Sequence, residues 1–371
     1  MRRLTLALLA IALLAIALLA IQPLTLHAQA TGPSAAQTAL SWMRSQQQAD
    51  GAFPGFGPGD SADAALAFAA AGENPTALSN GGATALEFLQ AQSAYAKSGV
   101  GAAAKLTLVA VAMGQSPRQF AGSDLLQLIG GAYDAQTGQY GADVYGHALA
   151  LLAIRAVQAT PPAPAVQRVL DLQLQDGGWS FDGSAATGSD TNTTGLVAQA
   201  LAGEASAAEA LQRALGYLKS QQNADGGFPY SQMSQFGSAS DANSTAAVLQ
   251  ALAALGESPD GAAGTKGDKT PLAALIALQN SSGALRYQAT PPDDNALATY
   301  QAVPALLGKA LPIVTSAVPG AQEAIAAPVA QPVPVTLPAT GAPAETPLAA
   351  LALVALVLLS AGLIARRRAA L

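Results

Sequence analysis

Two short polar segments repeat the same order of residue types inside otherwise apolar stretches of the chain. Residues Asp190–Thr194 read Asp-Thr-Asn-Thr-Thr, and residues Asp241–Thr245 read Asp-Ala-Asn-Ser-Thr. Asp294 with Asn295, and Asp63, stand at related places in other parts of the sequence. Carboxylates and amides brought together can hydrogen-bond a polar ligand, and two carboxylates about 5 to 9.5 Å apart can hydrolyse a glycosidic bond. The leading aspartates of the two segments are the pair that suits the second chemistry.

A structural role competes with the functional interpretation of these side chains. Asp, Asn, Ser and Thr are preferred at helix N-termini because they accept hydrogen bonds from free backbone N–H groups, typically worth about 1 kcal/mol. An acidic side chain at that end also suits the helix dipole. If the helix starts instead meet at one end of a cavity, their side chains form a polar mouth. The candidate ligand-binding residues of that mouth are Asp190, Asn192, Asp241, Asn243 and Asp294.

Four flat or ring-bearing side chains extend this candidate set: Trp179, Tyr230, Tyr287 and His147. Together with the polar mouth they predict binding of a sugar or a peptide. His147 is the only histidine after residue 30, and a lone histidine without a recognisable partner is weak evidence for catalysis, so a helix-start role is its alternative. The chain has no cysteine, which excludes disulfides and thiolate metal sites. We predict no metal site and no cofactor.

The charge balance excludes one class of partner. Without the five terminal arginines and Glu345, residues 31–340 contain 12 Lys and Arg against 22 Asp and Glu, a net charge of −10 with histidine neutral. Nucleic acid binding requires cationic side chains to neutralise phosphates. No glycine loop between a strand and a helix predicts a nucleotide site either. We therefore expect no nucleic-acid partner.

The elements that must position these residues repeat along the chain. Each repeat contains a helix end with glutamine, a polar turn with glycine, and an apolar or aromatic marker residue. The clearest copies are residues 46–53, 175–179 and 221–228. The markers are Phe53, Val100, Tyr140, Trp179, Phe228 and Leu285, at spacings of 39 to 57 residues. Such spacings leave room for two helices in each unit.

A second helix follows each marker. In three units the end of this helix is followed by a glycine and then a proline, at Gly72–Pro75, Gly114–Pro117 and Gly256–Pro259. Glycine supplies the left-handed C-cap, and proline prevents the helix from continuing. Apolar residues recur at helical spacing, as in Val248–Leu255. No alternating strand pattern of useful length is present. The sequence therefore predicts an all-α domain of about six helical hairpins.

This pattern resembles the α/α toroid of the squalene cyclase and protein prenyltransferase superfamily. The glutamine blocks before Trp179 and Phe228 are similar to the QW-type repeat of the cyclases, and the resemblance covers Ala35 to Leu311. It implies a closed inner ring of helices around a cavity, with an outer ring behind it. The alternative architecture is an open helical solenoid, in which repeats stack in a line.

The resemblance implies several chemistries whose residues are missing here. A zinc-dependent prenyltransferase or a thioester domain would need cysteine. The Asp-x-Asp-Asp run of the cyclases has its nearest counterpart in Pro291–Asp294, and Leu297 takes the last position of an Asp-Asp-x-x-Asp magnesium motif. Aromatic residues, which stabilise carbocations, make up 5% of the chain. Cobalamin carriers of the intrinsic-factor type are similar at the helix starts, but their capping β domain is not recognisable here.

Both ends of the chain carry targeting patterns. Residues 1–30 combine Arg2 and Arg3, an apolar run and a small-residue cleavage site, which predicts a signal peptide, with an uncleaved anchor as the alternative. The toroid is predicted over residues 31–311 and a proline-rich spacer over 312–336. Residues 337–371 resemble a sortase-type sorting signal, with a transmembrane segment at 348–365 and an arginine tail. Its pentapeptide is Leu337, Pro338, Ala339, Thr340 and Gly341.

These observations predict a protein held at the extracellular face of a bacterial envelope, with a sortase-type transpeptidase as its partner. A plain tail anchor is the alternative to the sorting signal. We expect non-catalytic binding of an extracellular small molecule or glycan, because the catalytic signatures implied by the resemblance are missing. The alternatives are a surface enzyme acting on glycan or terpenoid-like substrates, and a structural spacer or adhesin scaffold.

Overall fold

The computed structural model describes residues 31–235 and 237–315. In those ranges the chain forms thirteen α-helices, and none of them is long and apolar enough to span a bilayer. The predicted signal peptide, sorting signal and transmembrane segment lie outside the described residues, as do residues 316–336 of the predicted spacer.

The secondary structure is helical apart from two short ladders. In chain order the helices are α1 (Gly32–Gln46), α2 (Pro58–Ala70), α3 (Ala85–Gln90), α4 (Ser93–Ala96), α5 (Val100–Ala112), α6 (Leu125–Gly131), α7 (Val144–Ala156), α8 (Ala163–Asp171), α9 (Thr191–Leu201), α10 (Ala208–Gln221), α11 (Ala242–Leu255), α12 (Pro271–Ala277) and α13 (Ala296–Leu306). Antiparallel pairs join β1 (Tyr133–Asp134) to β2 (Gln139–Tyr140) and β3 (Leu285–Arg286) to β4 (Asp294–Asn295).

Six helices form a closed inner ring. Contacts run in the order α2, α5, α7, α9, α11 and α13, and α13 then packs against α2. Helices α1, α3, α6, α8, α10 and α12 lie outside this ring against the inner helices. The structure is therefore the predicted closed toroid of helical hairpins and not an open solenoid. Because an outer helix separates successive inner helices along the chain, the inner helices run parallel, and their N-termini share one end of the ring.

The inner helices pack closely because they are apolar on most sides and rich in small residues. In α7, eleven of the thirteen residues are buried, whereas the outer α8 buries only one stripe. A helix that is apolar all round is stable only when it is covered on all sides. Gly195 permits the close approach of α9 to α11, since a Cβ there would lie 2.9 Å from the carbonyl oxygen of Ala247.

The repeated glutamines join neighbouring units. In four units the side-chain amide donates both to the turn that follows it and to a backbone carbonyl of the next unit. The acceptors are Gly51 and Leu78 for Gln47, Gly177 and Ala210 for Gln173, Gly226 and Gly264 for Gln222, and Gly283 and Ala35 for Gln279. Gln279 thus ties the last unit to α1 with a 2.8 Å bond to Ala35. Gln47 and Gln222 belong to the glutamine blocks predicted from the sequence, whereas Gln173 and Gln279 lie outside them, and Gln279 forms the bond that closes the ring.

Five of the six marker residues are fixed in a common way. Each donates its backbone N–H to a side chain on the first turns of the following inner helix. The pairs are Phe53 with Ser61, Tyr140 with His147, Trp179 with Thr194, Phe228 with Thr245 and Leu285 with Thr299. Val100 does not mark such a turn, because it is the first residue of α5. Ala103, which has no polar side chain, occupies the matching position in that unit.

A segment after α13 crosses the C-terminal end of the inner ring. The backbone N–H of Leu311 donates to Oε1 of Gln199 on α9 over 3.0 Å, and the Thr315 hydroxyl donates to the carbonyl of Ala112 on α5 over 2.9 Å. Ile313 between them is buried. The spacer was predicted to begin at Pro312, but the described residues up to Thr315 pack against the toroid.

Candidate functional site

All six inner helices contribute to one cavity inside the ring, with a volume of about 100 Å³. Apart from Tyr300, its helical wall residues occur at the second, sixth and ninth positions of the helices, which is the spacing of one helix face. The wall side chains are Asp63, Leu66, Lys105, Leu108, Tyr145, Leu149, Asn192, Leu196, Gln199, Asn243, Ala247, Gln250, Tyr300, Gln301 and Pro304, and Leu311 adds to the wall from the segment after α13.

An ion pair lies at the middle level of the cavity wall. Nζ of Lys105 on α5 is 2.8 Å from Oδ1 of Asp63 on α2, and the two side chains are 18% and 12% exposed. Burial alone would lower the pKa of Lys105, but the facing Asp63 carboxylate outweighs burial and raises that pKa above its usual value. The lysine therefore stays protonated, and the pair contributes no net charge to the cavity.

Amide side chains continue from this ion pair around the ring. Nε2 of Gln301 donates to Oδ2 of Asp63 over 3.1 Å, and Nδ2 of Asn243 donates to Oε1 of Gln301 over 2.7 Å. Gln250 donates to the backbone carbonyl of Gln301 over 3.3 Å. These bonds connect α5, α2, α13 and α11 through polar groups in an otherwise apolar wall. They also fix the orientation of the amides before any ligand arrives.

Asn192 occupies on α9 the position that Asn243 occupies on α11, but its amide oxygen has a different environment. Oδ1 of Asn192 is buried and accepts no hydrogen bond from any described residue. A buried acceptor without a partner costs about 1 to 3 kcal/mol. The Asn192 amide belongs to the cavity wall, and a ligand donor would reach the buried Oδ1 atom only when the amide turned toward the cavity. Next to it, Oγ1 of Thr191 is also without a partner among the described side chains and backbone, whereas the Asp190 carboxylate faces the Tyr230 hydroxyl.

Asp190 and Asp241 are N-caps of inner helices and are not among the cavity-wall residues. Each is 1% exposed. Oδ1 of Asp190 accepts from the Thr193 N–H and Oδ1 of Asp241 from the Ser244 N–H, both over 2.7 Å. Burial raises the pKa of each carboxyl to about 6, although these hydrogen bonds oppose the rise. The hydrogen bonds of both carboxyl groups are therefore those of helix N-caps.

Trp179 and His147 are also buried and are not among the cavity-wall residues. Nε1 of the Trp179 indole donates to the carbonyl of Val169 over 2.8 Å. Nδ1 of His147 accepts from the Tyr140 N–H over 2.8 Å, and Nε2 lies 2.9 Å from the carbonyl of Ala165. This pattern requires the neutral ring with the proton on Nε2, and burial lowers the pKa of His147 to about 4. Both ring nitrogens of His147 are therefore engaged in hydrogen bonds within the folded chain.

The remaining candidates lie on the surface at the N-terminal end of the ring. Oδ1 of Asp294 accepts from Asn280 over 2.7 Å and from Ser282 over 2.8 Å. Tyr230 and Tyr287 are 40% and 44% exposed. Their backbone carbonyls accept from the first N–H groups of α9 and α11, over 2.8 Å in each case. Of the predicted set, the structure brings Asn192 and Asn243 into the cavity wall and leaves Tyr230 and Tyr287 in loops at the N-terminal end of the ring.

Several wall residues were not anticipated from the sequence, above all Lys105, Gln301, Gln199 and Gln250. The signal available was a single polar residue inside a helix that is otherwise apolar. Asp63, Lys105 and Gln301 are each the sixth residue of an inner helix, so aligning the helices by their starts would have grouped them. In the described ranges, no group of three or more acidic or histidine side chains is placed to hold a metal ion.

Comparison with known proteins identifies the fold. No protein-family model and no curated protein sequence matches the chain. Among solved structures, a protein from Actinoplanes aligns over 75% of this chain and 99% of its own, with a TM-score of 0.52 and 14% identity. A type II terpene cyclase from Scytonema aligns over 74% and 97%, with a TM-score of 0.52 and 14% identity. A glycosidase aligns over 76% and 98%, with a TM-score of 0.53 and 13% identity. The chain shares the α/α-toroid fold of these proteins.

Proposed function

We propose that the protein binds a small, electrically neutral molecule rich in hydroxyl groups, such as a sugar residue, with part of the molecule inserted in the cavity of the ring, whose volume is about 100 Å³. The proposal depends most on the composition of the cavity wall. Its polar groups are the Lys105–Asp63 ion pair, which is neutral as a whole, five amide side chains and two tyrosines. Amides donate and accept hydrogen bonds, as hydroxyl groups do. A charged ligand would enter without a compensating charge, which is costly in a largely enclosed site.

The arrangement of carboxylates favours binding over catalysis in this cavity. Among the wall residues described, Asp63 is the only one with a carboxylate, and Lys105 holds it in an ion pair. Hydrolysis of a glycosidic bond would use two carboxyl groups facing the sugar. Asp190 and Asp241 cap their helices and do not belong to the wall. A terpenoid reaction would need a strong acid and many aromatic faces, and the wall has two tyrosines.

In this proposal the protein works outside the cell. Support comes from the order of signals in the sequence, with Arg2 and Arg3 before an apolar run at one end. At the other end the pentapeptide 337–341 precedes an apolar segment and three arginines. A sortase-type transpeptidase would cut between Thr340 and Gly341. Mass spectrometry of the mature surface protein tests this, since a retained apolar start or arginine tail would contradict the corresponding step.

Calorimetric titration with neutral monosaccharides tests the cavity proposal. The unmodified protein is expected to bind at least one of them, and Asn192→Leu is expected to weaken binding about tenfold, since one lost hydrogen bond is worth about 1 to 3 kcal/mol. Gln37→Leu is the matched control, because Gln37 is exposed on the outer helix α1. Equal binding by both variants would contradict the proposal. Turnover of the sugar would instead favour an enzyme.

A further inference from the structure

We propose that the rim at the N-terminal end of the ring binds an extended neutral glycan strand, whose terminal sugar inserts one edge into the cavity. The inference rests on the proposed function and names the class of ligand more closely. It starts from the exposed apolar side chains. Of the described residues, five large apolar side chains are exposed, and four of them lie in loops that lead into inner helices: Phe56, Tyr230, Met233 and Tyr287.

Three of these side chains lie in loops at the starts of successive inner helices: Tyr230 and Tyr287 occupy matching places, two residues after their markers Phe228 and Leu285, and Phe56 lies three residues after its marker Phe53. The carbonyl of Tyr230 accepts from the start of α9, and that of Tyr287 accepts from the start of α11. In the next unit Phe56 is two residues beyond Pro54, whose carbonyl accepts from the Tyr300 hydroxyl of α13. The loops carrying the three rings therefore lie over consecutive inner helices. The rim arc is defined here as Tyr230, Tyr287 and Phe56.

The spacing of the rim arc suits a repeating polymer. Adjacent packed helices lie about 8 to 10 Å apart, so Tyr230 and Tyr287, at matching places in successive units, are separated by a similar distance. That distance is comparable to one disaccharide of an extended glycan. The rings also differ in exposure, from 40% for Tyr230 to 76% for Phe56. A strand laid along the arc would therefore meet one aromatic face per repeat and would approach the cavity at the tyrosine end.

The surroundings of the arc favour a neutral glycan over an anionic surface. Burial raises the pKa of the Tyr230 hydroxyl, and the Asp190 and Asp182 carboxylates raise it further. The Asp241 carboxylate acts in the same direction on the hydroxyl of Tyr287. Negative charge next to both tyrosines opposes contact with nucleic acid phosphates or anionic lipids. Tyrosine offers an apolar face with a hydrogen-bonding tip, which suits a sugar ring bearing hydroxyl groups.

A length series of neutral β-linked oligosaccharides, from monosaccharide to hexasaccharide, tests the arc by calorimetry. The affinity of the unmodified protein is expected to rise at least tenfold along the series. The double variant Tyr230→Ala, Tyr287→Ala is expected to lose that rise and to bind a monosaccharide as before. Tyr230→Phe with Tyr287→Phe should retain most of the rise, because the aromatic faces remain. Val314→Ala removes an exposed side chain at the opposite end and should change nothing.

The outcomes separate this inference from the cavity proposal. If affinity is independent of length, or if the double alanine variant keeps the full rise while remaining folded by circular dichroism, the rim inference is overturned. Binding of phosphatidylcholine vesicles in place of oligosaccharides would also overturn it. If oligosaccharides bind through the tyrosines but no monosaccharide binds and Asn192→Leu has no effect, the rim inference stands and the cavity proposal fails.

Discussion

The buried carboxyls that cap α9 and α11 make the stability of the ring depend on pH. Asp190 and Asp241 are 1% exposed, and their pKa is raised from 3.8 to about 6. A carboxyl with a raised pKa binds more protons in the folded state than in the unfolded state. Its contribution to stability is therefore fully present below about pH 4 and is lost as the pH rises through 6. Each pKa unit corresponds to about 1.4 kcal/mol.

Replacing both residues with asparagine isolates this effect. Asparagine is as good an N-cap as aspartate, and its oxygen can keep the bonds from the Thr193 and Ser244 N–H groups. At pH 7 the double variant Asp190→Asn, Asp241→Asn should be more stable than the parent, by up to about 3 kcal/mol per site from a shift of about two pKa units. At pH 4 the two proteins should unfold at nearly equal free energy.

Urea unfolding followed by circular dichroism at both pH values measures the difference. Asp124→Asn is the matched control, since Asp124 caps the outer helix α6 and its carboxylate lies 3.1 Å from Nη1 of Arg118. That variant should show no gain at pH 7. The reasoning would be refuted if the double variant were less stable than the parent at pH 7, or if the stability difference were the same at pH 4 and pH 7.

Three further substitutions address other parts of the ring. His147→Thr should lower the free energy of unfolding by about 1 to 3 kcal/mol at neutral pH, because the bond to Ala165 is lost. Thermal melts should also show that the variant lacks the parent's loss of stability between pH 6.5 and 4, and unchanged acid sensitivity would count against the neutral histidine. Lys105→Met should lower the free energy of unfolding by about 3 kcal/mol in urea titrations, because Asp63 loses its ion-pair partner. Adding Asp63→Asn should restore stability, and no recovery would argue against the ion pair. Gln279→Ala should lower the free energy of unfolding by about 1 to 3 kcal/mol and speed hydrogen exchange in α1, whereas the control Gln37→Ala should do neither. Equal hydrogen exchange in both variants would contradict the ring-closing role of Gln279.

Much of the toroid was predictable from the sequence because each repeat fixes itself locally. The glutamine, the turn glycine and the marker residue are close in the chain, and the marker bonds to the next helix within 7 to 17 residues, as Tyr140 does with His147 and Phe228 with Thr245. The match between Asp190 and Asp241 in the sequence likewise indicates two helix starts. The prediction of Val100 as a marker was wrong, because glycine before an apolar residue also occurs at an ordinary helix start.

The cavity wall was less predictable because it depends on contacts between distant parts of the chain. Asp63 meets Gln301 across 238 residues, and nothing local to either residue indicates the other. A lone lysine such as Lys105 in an apolar helix is compatible with a solvated surface as well as with an inward face. Only closure of the ring decides between them. The rim tyrosines were anticipated near the mouth, and Phe56, which completes the arc, was not.

A crystal structure of the protein with a saturating neutral oligosaccharide tests the central claim most directly. The account predicts a terminal sugar at the cavity, with a hydroxyl inside the ring within hydrogen-bond distance of the Asn192 amide and the next sugars along Tyr230 and Tyr287. A sugar bound solely outside the ring, or a cavity without sugar at saturating concentration, would contradict it.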